Sequence, residues 1–124
     1  MSKGRILVAD DDEDILKAIS LRLKANGYDV VVAVDAIQAV MKAHREKPDV
    51  AVLDIHMPAG DAMEVIRSFK SDSDTSGIPV VLVTADTQAS TRDRGVASGA
   101  KHYLTKPFLP SELLECVEEA MAAR

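Results

Sequence analysis

The sequence has little cysteine, few aromatic residues and no long apolar run. A single cysteine, Cys116, excludes an internal disulfide and suits a reducing cytoplasm. No stretch approaches the roughly 18 apolar residues that a membrane-spanning helix needs. Two tyrosines, two phenylalanines, no tryptophan and a formal net charge of −5 argue against direct nucleic-acid binding, which depends on a basic surface. We therefore expect a cytoplasmic protein that lies neither in a membrane nor on DNA.

Two common kinds of ligand motif are also missing. No glycine-rich dinucleotide fingerprint follows the first apolar run. The three histidines, His44, His56 and His102, have no metal-ligand spacing, so we expect them at the surface or in helix packing rather than on zinc. No internal repeat, linker or low-complexity tail interrupts the 124 residues. We expect one domain over residues 1–124, which is long enough to bury a core.

What the sequence does have is an alternation of apolar runs with helical periodicity. The runs predict buried strands near residues 5–9, 29–34, 49–54, 79–84 and 101–104. Helices are predicted between and after them, which gives five strand–helix units in a row. Such units imply an α/β fold, a doubly wound parallel sheet with right-handed crossovers and helices on both faces. The missing dinucleotide fingerprint favours the flavodoxin-like strand order 2-1-3-4-5.

The second helix is predicted to begin after Asp35, a residue suited to the N-cap. Its inner face is predicted to carry Ile37, Val40, Met41 and His44, which recur at helical spacing. In the fifth helix, Cys116 has the spacing of a buried position. Residues 71–77 are expected to form a solvated loop, with a phosphorylated Ser/Thr cluster as the alternative.

Polar side chains stand where the predicted strands end. Asp54 is the last residue of the third strand, and Asp10 and Asp11 follow the first. Thr84 ends the fourth strand, and Lys106 follows the fifth. The carboxyl ends of parallel strands share one edge of the sheet, where ligands bind. The predicted order makes the first and third strands neighbours, so we expect Asp10 and Asp11 to face Asp54.

Three converging carboxylates repel one another unless a cation lies between them. At about 5 Å and an effective dielectric constant of about 20, each pair costs roughly 3 kcal/mol. A few hard oxygen ligands suit Mg²⁺, for which Mn²⁺ can substitute. Taken alone, Lys106 is typical of an ordinary loop lysine. Thr84, taken alone, is typical of a strand-end residue or a helix cap. Together with a metal and a carboxylate nucleophile, the two form a phosphoryl-handling site.

Four segments carry a resemblance to a known family. Residues 6–11 (ILVADD), 54–58 (DIHMP), 83–85 (VTA) and 103–108 (YLTKPF) stand in the order and on the elements typical of receiver domains. The chain thus resembles the receiver domains of two-component response regulators, and its single-domain form resembles the chemotaxis regulators. One departure is Gly-Asp-Ala at 60–62, where the family usually has Met-Asp-Gly, so the shape of the loop before the third helix stays open.

The resemblance implies a role for each matched acid. Asp54 is expected to be the phosphoacceptor. Asp11 and Asp54 are expected to bind Mg²⁺ directly with the backbone carbonyl of His56, and Asp10 is expected to hold the metal through water. His56 and Asp86 match the two positions that tune hydrolysis of the phosphorylated form in the family.

The resemblance also implies how the switch would operate. Lys106, joined to Pro107 by a cis peptide bond in such domains, is expected to contact the phosphoryl oxygens. Thr84 is expected to donate its hydroxyl to the phosphoryl group after transfer. Tyr103 matches the switch aromatic, which swings inward as Thr84 moves. The face made by the fourth helix, fifth strand and fifth helix is then expected to control a downstream protein.

The expected phosphoryl donor is a phosphohistidine on a histidine kinase or a histidine phosphotransfer protein. Self-catalysed transfer and autodephosphorylation make the domain a switch rather than an enzyme with a separate substrate. A Mg²⁺-dependent phosphatase is one alternative, but such enzymes need a second acid where His56 stands and a cap domain. A binding-only pseudo-receiver is another, but those domains usually lose an acid or the lysine.

The charges near the switch aromatic predict a monomer, unless they only solubilise this face. Receivers that dimerise to bind DNA commonly carry a paired acid just before this aromatic, where the chain has Lys101 and His102. The fourth helix is expected to present Arg92 and Arg94 on this face. The fifth helix is expected to present four glutamates, Glu112, Glu115, Glu118 and Glu119.

Overall fold

Strands and helices alternate throughout residues 2–123, the part of the chain that the computed structural model describes. The strands are β1 (Arg5–Ala9), β2 (Asp29–Ala33), β3 (Val50–Asp54), β4 (Val80–Thr84) and β5 (His102–Thr105). The helices are α1 (Glu13–Ala25), α2 (Ala36–Glu46), α3 (Ala62–Lys70), α4 (Ala89–Ala97) and α5 (Pro110–Ala122). No helix among these is long and apolar enough to cross a membrane.

The five strands form one parallel sheet in the order β2-β1-β3-β4-β5. The predicted fold class and strand order are therefore confirmed. All residues of β3 and β4 are buried, because these strands lie inside the sheet and helices cover both faces. In the register, Asp54 lies beside Val83 and Thr84 lies beside Thr105, so the strands end close together at one edge.

Each face of the sheet packs its own core, because successive residues of a strand point to opposite faces. Leu53 and Leu82 lie in the core that α2 and α3 cover, together with Phe69 of α3. Val52 and Val81 lie in the opposite core, which α1 and α5 cover. Helix α4 contributes little to either core.

The predicted inner face of α2 was wrong at two positions. The side chains of Ile37 and Met41 are 59% and 55% exposed, whereas Ala36, Ala39 and Ala43 are buried. The alanines share the helical period of the larger residues, but they lie on a neighbouring stripe of the helix. Small side chains let α2 approach the sheet closely, so packing selects the alanine stripe over the more hydrophobic one.

The loop before α3, whose shape the sequence left open, ends in an N-cap. The Asp61 carboxylate accepts a hydrogen bond from the Glu64 N–H at 3.1 Å. Ala59 and Gly60 both have positive φ angles, of 67° and 126°. At Gly60 this angle is one that residues with a side chain rarely adopt. The glycine therefore allows both the turn and the capped helix start.

The segment 71–77 is a loop of turns, as predicted, but one of its side chains is buried. Thr75 lies inside, and its hydroxyl donates to the carbonyl of Phe69 at 2.7 Å. Cys116 is half-buried and packs against the core under α1 and α5.

Candidate functional site

The carboxyl edge of the sheet brings three acids together. Asp10 follows β1 and Asp54 ends β3, and both side chains are buried, at 3% and 8% exposure. Asp11 is exposed. One carboxylate oxygen from each acid lies within 4.8 Å of the other two. The pairing of β1 with β3 explains this arrangement, because it sets the ends of the two strands side by side.

Lys106 reaches the same place from the end of β5. Its Nζ is 2.7 Å from Oδ2 of Asp10 and 3.7 Å from Oδ1 of Asp54. Its backbone N–H donates to the carbonyl of Thr84 at 2.7 Å, and the Lys106–Pro107 peptide bond is cis. Because the ammonium contacts Asp10 directly, Asp54 is the less well compensated of the two buried acids.

The surroundings of Asp54 disfavour its charge. Burial first, then the carboxylates of Asp10 and Asp11, raise its pKa to about 6. The ammonium of Lys106 and the backbone N–H of His56 act in the opposite direction, but less strongly in sum. Three carboxylates that share one small space offer the hard oxygen donors that Mg²⁺ prefers. The residues present therefore fit a divalent cation.

A second polar group lies beside the first and centres on Asp86. Its Oδ2 accepts hydrogen bonds from Nε2 of His56 at 2.9 Å and from the Thr91 hydroxyl at 2.8 Å. Its Oδ1 accepts from the Gln88 N–H at 2.9 Å. These bonds, that from Gln88 most of all, lower the pKa of Asp86 to about 2. Asp86 thereby joins the loop after β3 to the first turn of α4.

Thr84 contacts the loop after β4, and Tyr103 contacts α4. The Thr84 side chain is buried, and its Oγ1 accepts a hydrogen bond from the Asp86 N–H at 3.0 Å. The ring of Tyr103 lies against α4, with the guanidinium of Arg92 at 5.1 Å from the ring centroid. Both predicted switch residues thus contact elements that also carry or contact Asp86.

Three of these contacts could not be read from the sequence. His56 and Asp86 are 30 residues apart and meet only because β3 pairs with β4. Arg94 donates to Oδ2 of Asp61 at 2.6 Å, so it is bound to the loop before α3. Arg92 covers the ring of Tyr103. Arg92 and Arg94 are exposed on α4, as expected, and each also has a partner within the chain.

The model of the response regulator receiver domain family matches residues 6–118. The chain belongs to this family. This receiver domain is 36% identical over 125 residues to the transcriptional regulatory protein PrrA of Mycobacterium tuberculosis. The alignment covers 100% of the chain and 52% of PrrA. The chain spans about half the length of the curated relatives it matches.

Solved structures agree with this assignment. A CheY-like receiver domain protein of Methanospirillum hungatei superposes with a TM-score of 0.89 at 29% identity, over 98% of this chain and 96% of that one. The receiver domain of the sensor histidine kinase PA1611 of Pseudomonas aeruginosa gives a TM-score of 0.89 at 27% identity, over 96% and 98% of the two chains. The latter holds a magnesium ion in its active site cleft. Receiver domains bind Mg²⁺ in an acidic pocket, and this chain has such a pocket.

The raised pKa of Asp54 predicts that Asp54→Asn stabilises the folded protein at pH 7 without metal. The folded-state pKa of about 6 exceeds the ordinary 3.8, so the ionised carboxylate destabilises the fold. The gain should be about 1–3 kcal/mol, since one pKa unit corresponds to about 1.4 kcal/mol. It should shrink as the pH falls through 6 and vanish below 3.8. Urea unfolding at several pH values in a chelator measures this.

Asp12→Asn is the control, because Asp12 is exposed and an asparagine can keep its N-cap bonds to the first turn of α1. Its free energy of unfolding should change by less than about 0.5 kcal/mol. If Asp54→Asn were no more stable than the wild type at pH 7, the site would not disfavour the charge of Asp54.

Proposed function

We propose that Asp54 accepts a phosphoryl group from the phosphohistidine of a histidine kinase or histidine phosphotransfer protein. The observation that carries this proposal is the position of Asp54, a buried carboxylate within 4.8 Å of two further acids and 3.7 Å from the Lys106 ammonium. A carboxylate oxygen of Asp54 attacks phosphorus as the phosphorus–nitrogen bond breaks. The electron pair of that bond stays on the imidazole of the donor, and an aspartyl phosphate forms.

The acids would hold a divalent cation at this site. Asp11, Asp54 and the backbone carbonyl of His56 would bind Mg²⁺ directly, and Asp10 would bind it through water; Mn²⁺ would occupy the same donors. The oxygen donor set and the magnesium-containing receiver of P. aeruginosa support this proposal. When bound, the cation supplies positive charge that balances the charge of the phosphoryl oxygens in transfer.

Lys106 and Thr84 would respond to the new group. The added phosphate carries about −1.5 to −2 charges, so it attracts the Lys106 ammonium, which already lies 3.7 Å from Asp54. The Thr84 hydroxyl accepts from the Asp86 N–H in this structure, and donating to the phosphoryl group would change that contact. Tyr103 and α4 would then rearrange, and the surface of α4, β5 and α5 would control a downstream protein.

Self-catalysed hydrolysis would end the signal, with water attacking phosphorus in line with the bond to Asp54. This makes the domain a switch, not an enzyme with a separate substrate. The phosphatase alternative needs an acid at position 56, where the chain has a histidine, and residues 2–123 contain no cap domain. The pseudo-receiver alternative needs a missing acid or lysine, and the chain has Asp10, Asp11, Asp54 and Lys106.

Four further properties of the protein are inferred from its sequence and charges. We infer a single domain over residues 1–124, a cytoplasmic location, no direct contact with nucleic acid, and a monomer. Support for a monomer comes from the charges near the switch aromatic. Lys101 and His102 stand where dimerising receivers commonly carry a paired acid, and Arg92 and Arg94 each have a partner within the chain.

Incubation with a small acyl-phosphate donor and Mg²⁺ should add one phosphoryl group to the protein, on Asp54. The increase should be visible by intact-mass spectrometry and absent in Asp54→Asn, because the amide is not a nucleophile of this kind. Asp12→Asn should label as the wild type does. Equal labelling of Asp54→Asn, or labelling that a chelator leaves unchanged, would contradict the assignment of Asp54.

Lys106→Ala should preserve Mg²⁺ binding, whereas Asp11→Ala should weaken it by about 10-fold or more. The lysine is a cation among the proposed ligands, so its removal takes away repulsion toward the metal. Asp11 is a proposed ligand itself. Titration with Mg²⁺, followed by NMR, gives both dissociation constants. A larger loss of affinity in Lys106→Ala than in Asp11→Ala would mean that the two roles are misassigned.

His56→Ala and Asp86→Asn should change the rate of dephosphorylation several-fold, and their effects should not add. The two side chains contact each other at 2.9 Å, so each loses its partner when the other is replaced. Loss of the aspartyl phosphate with time, measured by mass spectrometry, gives the four rates of the double-mutant cycle. Asp29→Asn, exposed at the start of β2, serves as the control. Rates that all match the wild type would show that neither side chain borders the path of water.

The domain should sediment as a monomer of 13.3 kDa with and without a stable phosphoryl mimic. The reason is that Lys101 and His102 occupy the place of the paired acid that dimerising receivers use in salt bridges across this face. A tight dimer that forms only with the mimic and dissociates on charge reversal in α4 and α5 would overturn the monomer proposal.

A further inference from the structure

Gly95 stands in the middle of α4, where glycine is among the least favourable residues for a helix. Little else stabilises this helix. Its N-cap residue, Gln88, makes no side-chain capping bond, and only Thr91 and Gly95 are buried. A residue that weakens an already weak helix calls for a reason in the packing around it.

The reason is the ring of Tyr103. A Cβ atom built on Gly95 would lie 2.8 Å from Cε2 and 3.1 Å from Cδ2 of Tyr103, and 3.2 Å from Cδ1 of Leu82. Leu82 is fully buried in β4, and its contact is the longest of the three. The ring of Tyr103 therefore occupies the space that any side chain at position 95 would need.

Packing and the Arg92 guanidinium hold the ring in this slot. The guanidinium of Arg92, three residues before Gly95 on the same face of α4, covers the ring at 5.1 Å from the centroid. The Tyr103 hydroxyl is buried and has no hydrogen-bond partner among residues 2–123. Since no hydrogen bond fixes the hydroxyl, a steric change at position 95 should be enough to move the whole side chain.

We propose that Gly95 is a positioning residue for Tyr103: its missing side chain forms a slot in α4 that holds the ring against this helix with the hydroxyl buried. The ring and α4 then move as one unit, because neither can shift without breaking the contact between them. The part of this proposal that links the ring to signalling rests on the proposed phosphorylation of Asp54. The position of the ring in the unphosphorylated protein does not depend on it.

The first test replaces Gly95 with alanine and follows Tyr103 directly. In a Tyr28→Phe background Tyr103 is the only tyrosine, so its nitration by tetranitromethane and its ¹³C-labelled ring signals report one site. Gly95→Ala should raise the nitration rate several-fold and shift the ring signals toward those of an exposed tyrosine. Gly77→Ala is the matched control, because a Cβ atom there meets nothing within 4 Å. An unchanged nitration rate and ring spectrum in Gly95→Ala would overturn the proposal.

The second test separates the slot from a general defect of the helix. Gly95→Ala should lower the melting temperature when Tyr103 is present. In a Tyr103→Ala background the same change should raise it, because the slot is empty and alanine is the better helix former. A fall in melting temperature in both backgrounds would mean that Leu82 or the helix backbone, not Tyr103, requires the glycine.

The double variant Gly95→Ala/Tyr103→Ala gives a result even if Gly95→Ala does not fold. If Gly95→Ala is unfolded, recovery of the fold in Gly95→Ala/Tyr103→Ala supports the slot, and an unfolded double variant overturns it. All of these measurements use unphosphorylated protein. If Asp54 proved not to be phosphorylated, the slot would therefore still be supported or overturned on its own results.

Discussion

The close approach of Asp10 and Asp54 at the end of two paired parallel strands is the constraint on which the rest of the site depends. Two buried carboxylates in one small space repel each other, and burial disfavours the charge of Asp54. Lys106, delivered from β5, compensates Asp10 at 2.7 Å but reaches Asp54 only at 3.7 Å. The incomplete compensation of Asp54 favours a cation at the site, and the cation's charge would in turn offset that of the phosphoryl group in the proposed transfer.

In the proposed switch, the loosely packed α4 is the element through which a change at Asp54 would reach the surface. Contacts of individual side chains hold this helix in place, because it has no large buried apolar face. Asp86 binds its first turn and His56, Arg94 binds Asp61 before α3, and Gly95 receives the ring of Tyr103. Each of these contacts joins α4 to a loop or strand beside the site. A small rearrangement of that loop or strand can therefore shift the helix without disrupting either core.

Membership of the receiver family and the particular contacts of this chain carry different information. The family match and the similarity to PrrA and to solved receiver domains establish the kind of domain. The pair of His56 with Asp86 and the glycine slot in α4 are features of its own side chains. In the proposed function, these features would affect how long a phosphorylated state lasts and how α4 responds, which the family assignment alone does not specify.

The sequence by itself determined the strand order and the polar residues at the strand ends, because buried strands, their lengths and the residues that follow them are local features of the chain. It also predicted the N-cap at Asp35 and the loop at 71–77. Only the tertiary structure decided that α2 buries its alanines instead of Ile37 and Met41, and that Tyr103 packs into Gly95. Helix rotation and contacts between distant residues depend on how closely the elements approach. Local periodicity carries no information about that distance, since two neighbouring stripes of one helix can have the same period.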